Sequence, residues 1–271
     1  MNRHPDVVAK TVSTIHGQPW GIAGAMHPAR SMQSTIWQFQ STLTTRLQNG
    51  EHLILYGPRG SGKSTLFTQL CARLTHYGTP CARSPATSTL NDMTCAFVCA
   101  YPDVETVGLT RRRARARLML AADQQAGVLL FDHVTHVSTA MLGFIHRLRG
   151  GLAGVLMAIE VDGERERLAL RQRHLGIPLL SMPPLSARRL RTLFRMYYTD
   201  LGLPATTPAQ ERQIIRAARG RPGWVVQCSQ LIAQDQYWHN QTLYVSVLCI
   251  DTEIALQLGS HKLPPYCNHD G

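Results

Sequence analysis

Residues Gly57–Thr65 read GPRGSGKST. Glycines at 57, 60 and 62 let the backbone wrap closely around a phosphate chain with its N–H groups turned inward. Lys63 at this spacing reaches β- and γ-phosphates, and Ser64 can offer its hydroxyl to Mg²⁺. Pro58, Arg59, Ser61 and Thr65 complete the loop, with Arg59 expected to be a solvated, variable position. The pattern calls for ATP with Mg²⁺. Such a site needs an acidic residue at the tip of a neighbouring strand, holding the metal through water. Asp132, directly after the apolar run Val128–Phe131, fits that role. The next residue is His133, where a glutamate would be the stronger base for an attacking water. Either hydrolysis is slow, or His133 itself orients the water, or Glu160 or Asp162 supplies the acid from the end of the following strand.

These groups need a scaffold. His52–Tyr56 reads as a buried strand entering the glycine loop, and Ser64–His76 as the helix leaving it, with Leu66, Phe67, Leu70 and Leu74 at helical spacing. Strand, loop and helix in that order are the context the motif requires. Ser34–Leu47 is a helix before them. Weak strand signals occur near Pro80–Ser84 and Cys95–Ala100. Further strands are expected at Val128–Phe131, Val155–Ile159 and Ile177–Met182, and helices at Thr110–Asp123, Ser138–Arg149 and Arg165–His174. Apolar strands alternating with helices predict an α/β fold with a parallel sheet covered on both faces. Beyond Leu185 the strand signal fades. Helices are expected at Ser186–Leu201, Pro208–Arg219, Gly223–Gln234 and Val245–Leu258. The expected organisation is an irregular lead-in over 1–30, a P-loop α/β core over 31–185, a C-terminal α-helical lid over 186–260 and a tail over 261–271.

No run approaches the roughly 18 apolar residues of a membrane span, and the first residues show no apolar signal-peptide core. The expected setting is the cytoplasm, with no membrane partner. None of the seven cysteines forms a C-x-x-C pair, so ordinary thiols are expected rather than a zinc or redox site. The formal net charge is +11, almost all of it from arginine. An excess of that kind suits a polyanion such as duplex DNA, or an acidic protein, or only an arginine-rich source. Arg111, Arg112, Arg113, Arg115 and Arg117 crowd one helix start, where positive charge opposes the helix dipole. Arg188, Arg189, Arg191 and Arg195 form a second cluster. Trp224, Tyr237 and Trp238 read as lid core rather than as platforms for bases.

With the loop, the strand ending in Asp132 and the run RQRHLGIPLLSMPPLSARRL, the chain resembles the AAA+ ATPases over residues 30–235. It is most similar to the small ATPases of transposition and secretion-associated systems, where a Gln-Arg pair precedes a strand much as Gln172-Arg173 does here. The stretch Gly220–Trp224 (GRPGW) also resembles a segment of that group and of the STAND switch ATPases. The resemblance implies homo-oligomeric assembly, with Arg173, or else Arg171, acting as an arginine finger on a neighbour's γ-phosphate. It implies Arg221 as a lid sensor of the same phosphate, although the family arginine follows the proline in some members, where Gly223 stands here. At the end of the next strand the family places Asn, Ser or Thr; here Ala158, Ile159 and Glu160 stand.

Three functions remain open. The first is an ATPase that uses ATP to assemble on DNA or to load an unidentified protein partner onto it, as in transposition. The second is a STAND-like switch that binds ATP, barely hydrolyses it, and signals through protein contacts. The third is a small-molecule kinase, which the helical tail and GRPGW disfavour.

Overall fold

The computed structural model describes residues 34–134, 138–148, 151, 153–173, 176–199 and 201–258, without the side chains of 34, 35 and 171–173. Its centre is a five-stranded sheet. The strands are β1 (His52–Gly57), β2 (Cys81–Ser84), β3 (Val128–Val134), β4 (Gly154–Glu160) and β5 (Leu179–Ser181). Their spatial order is β2-β3-β4-β1-β5, and every pairing is parallel. β1 lies between β4 and β5, with Leu55 opposite Ala158 and Leu180.

Side chains alternate across the sheet, and both faces are buried. On one face Leu53, Leu55, Leu130 and Leu156 pack with α1 (Ser34–Gln48) and α2 (Lys63–His76) through Leu43, Leu47, Phe67 and Leu70. On the other, Ile54, Leu129, Phe131 and Met157 meet α3 (Leu90–Ala100), α4 (Arg111–Gln124), α5 (Thr139–Leu148) and α6 (Glu164–Arg173).

The weak strand signal at Cys95–Ala100 is overturned: these residues end α3. Thr89 caps that helix by accepting from the Asp92 N–H, and Asp92 accepts from the Thr89 N–H, a reciprocal capping box. Met93, Ala96, Phe97 and Ala100 then fall on the buried face at helical spacing. The strand expected over Ile177–Met182 is shorter, Leu179–Ser181.

Four helices follow the sheet: α7 (Ala187–Thr199), α8 (Pro208–Ala218), α9 (Pro222–Leu231) and α10 (Val245–Leu258). They enclose a core of their own around Leu190, Phe194, Ile214, Trp224, Val225 and Leu248. Trp224 and Tyr237 are almost wholly buried in it, so truncating either to Ala removes about 3–5 kcal/mol of packing. Between α9 and α10 lies a short antiparallel ladder, β6 (Trp238–His239) with β7 (Thr242–Leu243), which sequence periodicity did not reveal. Its two-residue turn, Asn240–Gln241, has positive φ at both positions, as a hairpin of this length requires. Among the described residues no helix is long and apolar enough to cross a membrane.

Candidate nucleotide site

The phosphate loop joins β1 to α2. Gly60 (φ 75°) and Gly62 (φ 94°) sit in the left-handed region that favours glycine. Gly62 caps α2, whose first N–H groups face the loop as the positive end of the helix dipole. Lys63 Nζ donates to the carbonyl oxygens of Gly57 (2.7 Å) and Pro58 (2.9 Å) and to Ser61 Oγ (3.3 Å). Burial lowers the Lys63 pKa, while the negative charges of Glu160, then Asp132 and Asp162, oppose that shift. The three hydrogen bonds hold the ammonium inside the loop against the desolvation that disfavours its charge.

The lid touches the loop directly. The Gly223 N–H donates to Gly60 O at 2.8 Å. A Cβ on Gly223 would come within 2.8 Å of Gly60 Cα, so this approach of two backbones needs glycine. Arg59 corrects the expectation of a solvated position. It donates to Leu256 O (3.1 Å) and Gln257 O, and pairs with Glu160 at 3.3 Å. It ties the loop to the end of α10 and to the end of β4.

Between loop, sheet and lid lies a cleft of about 570 Å³. Its lining includes Gly60–Thr65, His133 and Glu160 together with the apolar side chains of Ile36, Met182, Pro183, Leu193 and Val226 and the ring of Tyr197. Polar donors of the loop together with apolar side chains and one aromatic ring in the same cleft suit a flat base attached to a charged chain. Sequence periodicity did not single out this lining, because Ile36 and Val226 come from opposite ends of the chain.

The end of β3 is irregular. Phe131 pairs with Met157 but Val134 with Ile159, so Asp132 and His133 face a single residue across a bulge. His133 takes φ 47° there, and its Nε2 is hydrogen-bonded to Ser64 Oγ at 3.1 Å. Asp132 is 1% exposed. Its Oδ2 accepts from Arg83 Nη2 (2.7 Å) and its Oδ1 from the His133 N–H (2.9 Å). Arg83 Nη1 also donates to Thr68 Oγ1 at 2.6 Å. Arg83 was not singled out from the sequence; it lies on β2, and only the pairing of β2 with β3 brings it to Asp132.

The structure places the remaining residues as follows. Glu160 lines the cleft, opposite Gly57 in the β1–β4 register. Asp162 lies just beyond β4, and its N–H donates to Glu166 Oε2. Arg171 and Arg173 fall in the last turn of α6, and their side chains lie outside the described residues. Arg221 departs from the sensor expectation. It is 8% exposed and makes a two-point pair with Glu253 (2.9 and 2.6 Å), so its guanidinium is held within the helical bundle rather than on the cleft wall. Arg191 and Arg195 both pair with Glu211, whose single charge offsets one of the four arginines of the second basic cluster. In the first cluster Arg111, Arg112, Arg113 and Arg117 are exposed. Arg117 donates to Glu105 O.

Residues 45–162 match the family model described as AAA domain. Among solved structures, the chain is similar to the Aeropyrum pernix Orc1 protein in complex with DNA, at 15% identity and a TM-score of 0.52. That match covers 82% of this chain and 66% of the other. It is also similar to the replication initiator DnaA bound to AMPPCP and single-stranded DNA, at 15% identity, TM-score 0.47, and 74% and 60% coverage. A Thermotoga maritima RuvB point mutant aligns at 12% identity, TM-score 0.44, and 88% and 73% coverage. The chain thus spans less than two thirds of the Orc1 and DnaA structures. No curated protein matches it significantly in sequence. With the parallel sheet order and the phosphate loop in place, the match over residues 45–162 shows an AAA-type P-loop domain in this part of the chain, which resembles the AAA+ P-loop ATPases.

Proposed function

We propose that this protein is an ATP-binding ATPase that assembles on DNA, or loads a protein partner onto it, in a nucleotide-dependent way. The observation that carries the nucleotide reading is the cleft itself: a glycine cradle, a helix N-terminus and Lys63, apolar side chains lining the same cavity, and the lid bonded to the loop through Gly223 and Gly60. In this reading Gly57–Thr65 bind the triphosphate, with Lys63 leaving its carbonyl partners for phosphate oxygens. Closure of the lid on bound nucleotide excludes water from the base, and a change at the phosphate reaches α9 through the Gly60–Gly223 hydrogen bond.

The residues fit a divalent ion in part. Ser64 Oγ stands at the start of α2 beside His133, while both oxygens of Asp132 already accept hydrogen bonds. Ser64 would hold Mg²⁺ directly and Asp132 through water, and the ion would supply charge neutralisation to the bound phosphates. Arg173 or Arg171, reaching from a neighbouring copy, supplies positive charge to the γ-phosphoryl group. Assembly of copies is further supported by the outer row of α10, where Val247, Ile250, Ile254 and Leu258 are exposed.

DNA binding is supported by the charge of +11 and by the exposed arginines at the start of α4. Contacts to phosphate make binding largely independent of sequence and steeply dependent on salt. Replacing Arg112, Arg113 and Arg117 together by Ala should flatten the salt slope by about one unit per lost contact and leave ATP affinity unchanged. Anisotropy titration of duplex DNA against salt checks this. Absence of duplex binding by the wild type at low salt, with and without ATP, would overturn the DNA reading.

A second reading, a weakly hydrolysing ATP switch working through protein contacts, is favoured by one set of features. His133 stands where a glutamate is expected, and Asp132 is tied to Arg83. Steady-state turnover with and without duplex separates the two: stimulation by DNA supports the first, and a negligible rate in both supports the switch.

A further inference from the structure

The end of β3 carries an unused chemical group beside the phosphate loop. His133 is a non-glycine residue in the left-handed region, at a bulge in an otherwise regular parallel pairing. Backbone strain of this kind persists only where the surroundings hold it, and it gathers at functional sites. The bulge turns the imidazole toward α2, placing Nε2 3.1 Å from Ser64 Oγ. For two neighbouring ligands of an octahedral ion, with bonds of about 2.1 Å, the separation is about 3.0 Å. The two atoms thus already stand at the separation of one edge of such an octahedron, and an ion bound to both would take the place of their shared hydrogen bond after a small turn of the side chains.

The charge around this edge points the same way. The Asp132 carboxylate is balanced by Arg83 at 2.7 Å, and its second oxygen accepts from the His133 N–H. That removes part of the hard, anionic oxygen character that Mg²⁺ prefers and leaves an imidazole nitrogen, which suits first-row transition ions better. Among the described residues no group of three His, Cys, Asp or Glu could hold an ion unaided. The remaining ligands must come from the nucleotide phosphates and water.

Building on the ATP-binding reading above, we propose that His133 Nε2 and Ser64 Oγ together ligate the divalent ion of the bound nucleotide, so that the site favours a transition-metal nucleotide complex such as Mn²⁺·ATP over Mg²⁺·ATP. His133 is then a metal ligand in the place where a catalytic glutamate would stand. Its cost in base strength is a consequence of that ligation.

Mn²⁺ is paramagnetic and reports nitrogen bonded to it. In the full-length protein with Mn²⁺·ATP, pulsed electron paramagnetic resonance should show a directly bound ¹⁴N, replaced by the ¹⁵N pattern when the protein is grown on ¹⁵N-histidine. His133→Asn should abolish that signal, and asparagine tolerates the left-handed backbone at this position. Calorimetry with Mn²⁺·ATP and Mg²⁺·ATP gives a second readout: the preference for Mn²⁺ should fall about ten-fold or more in the variant, the scale on which site partners tune metal affinity. If the wild type binds Mn²⁺·ATP with no histidine nitrogen on the ion, the ligation is overturned while the nucleotide site stands. If neither complex binds, the nucleotide reading itself falls. An unchanged metal preference in His133→Asn would also overturn the ligation.

Discussion

The phosphate loop and the end of β3 meet at Ser64 and His133, yet they follow the family pattern to different degrees. The loop keeps each residue its chemistry needs, and the rest of the chain reinforces it. Its glycines take left-handed angles, Lys63 is held inside, and α9 and α10 contact it through Gly223, Leu256 and Gln257. The end of β3 keeps the carboxylate but changes its surroundings: Arg83 neutralises Asp132, a bulge re-aims the next side chain, and that side chain is a histidine. Binding a phosphate chain needs only backbone N–H groups and one cation, so its geometry is tightly constrained. Activating water depends on the basicity and placement of one or two side chains, where a single substitution alters the rate without altering the fold.

The largest effect should come from breaking the conforming side. Lys63→Ala removes a cation that would make charge-assisted hydrogen bonds to phosphate, each worth about 1.5–3 kcal/mol. ATP affinity measured by calorimetry should fall about a hundred-fold. Wild-type affinity in that variant would refute the site.

The next effect sharpens the altered side. Arg83→Ala leaves the carboxylate of Asp132, 1% exposed, without its ion pair. Losing one partner of a buried pair costs about 3–5 kcal/mol. Arg83 is 26% exposed, so about 2 kcal/mol is expected here, read as a lower denaturation midpoint. With nucleotide, the freed negative charge should raise Mg²⁺·ATP affinity, so stability and metal affinity move in opposite directions. A parallel fall in both would mean that Arg83 only supports folding.

A smaller effect is expected from restoring the family residue. His133→Glu should raise turnover, but by less than a well-placed base can supply, because a glutamate at φ 47° inherits the strained bulge. A clear drop in turnover would instead show that His133 itself positions the water.

The sequence made the conforming side legible and concealed the altered one, for a physical reason. The phosphate loop is local: residues 57–65 carry the glycines, the lysine and the hydroxyl in one run, next to a strand and a helix whose periodicity is plain. The Asp132–Arg83 pair spans two strands, and neither residue signals the other along the chain. The contacts of Arg59 with Leu256 and of Gly60 with Gly223 span most of the molecule. Arg221 could be aligned to a family role by its neighbours, but its partner Glu253 lies on α10, where the sequence offered only helical periodicity. The α3 helix is obscured in the sequence because its apolar residues run nearly continuously, and only the capping box of Thr89 and Asp92 marks its start.

The smallest expected effect tests whether the firmness of the phosphate loop depends on the lid. Glu253 on α10 accepts two hydrogen bonds from Arg221 and one from Trp224 Nε1, which link α10 to the start of α9. Both helices contact the loop, α9 at Gly60 and α10 at Arg59. The hydrogen bonds and charge of Arg221 lower the Glu253 pKa below the ordinary carboxylate value, against the effect of its partial burial. A carboxylate whose folded pKa is depressed stabilises the fold above its unfolded pKa, and that contribution disappears as pH falls through the folded value. Wild-type stability should therefore decline on acidification below the ordinary glutamate range, and Glu253→Gln should lose part of that decline. At neutral pH the variant should be less stable by no more than about 1 kcal/mol, because the Glu253 side chain is 40% exposed and water screens the pair. ATP affinity should weaken slightly in the same variant, since the loop's anchor at α9 and α10 loosens. Thermal denaturation across pH, with calorimetry at neutral pH, reads both quantities. A variant that loses acid sensitivity with fully retained ATP affinity would show that the loop holds its shape without the lid.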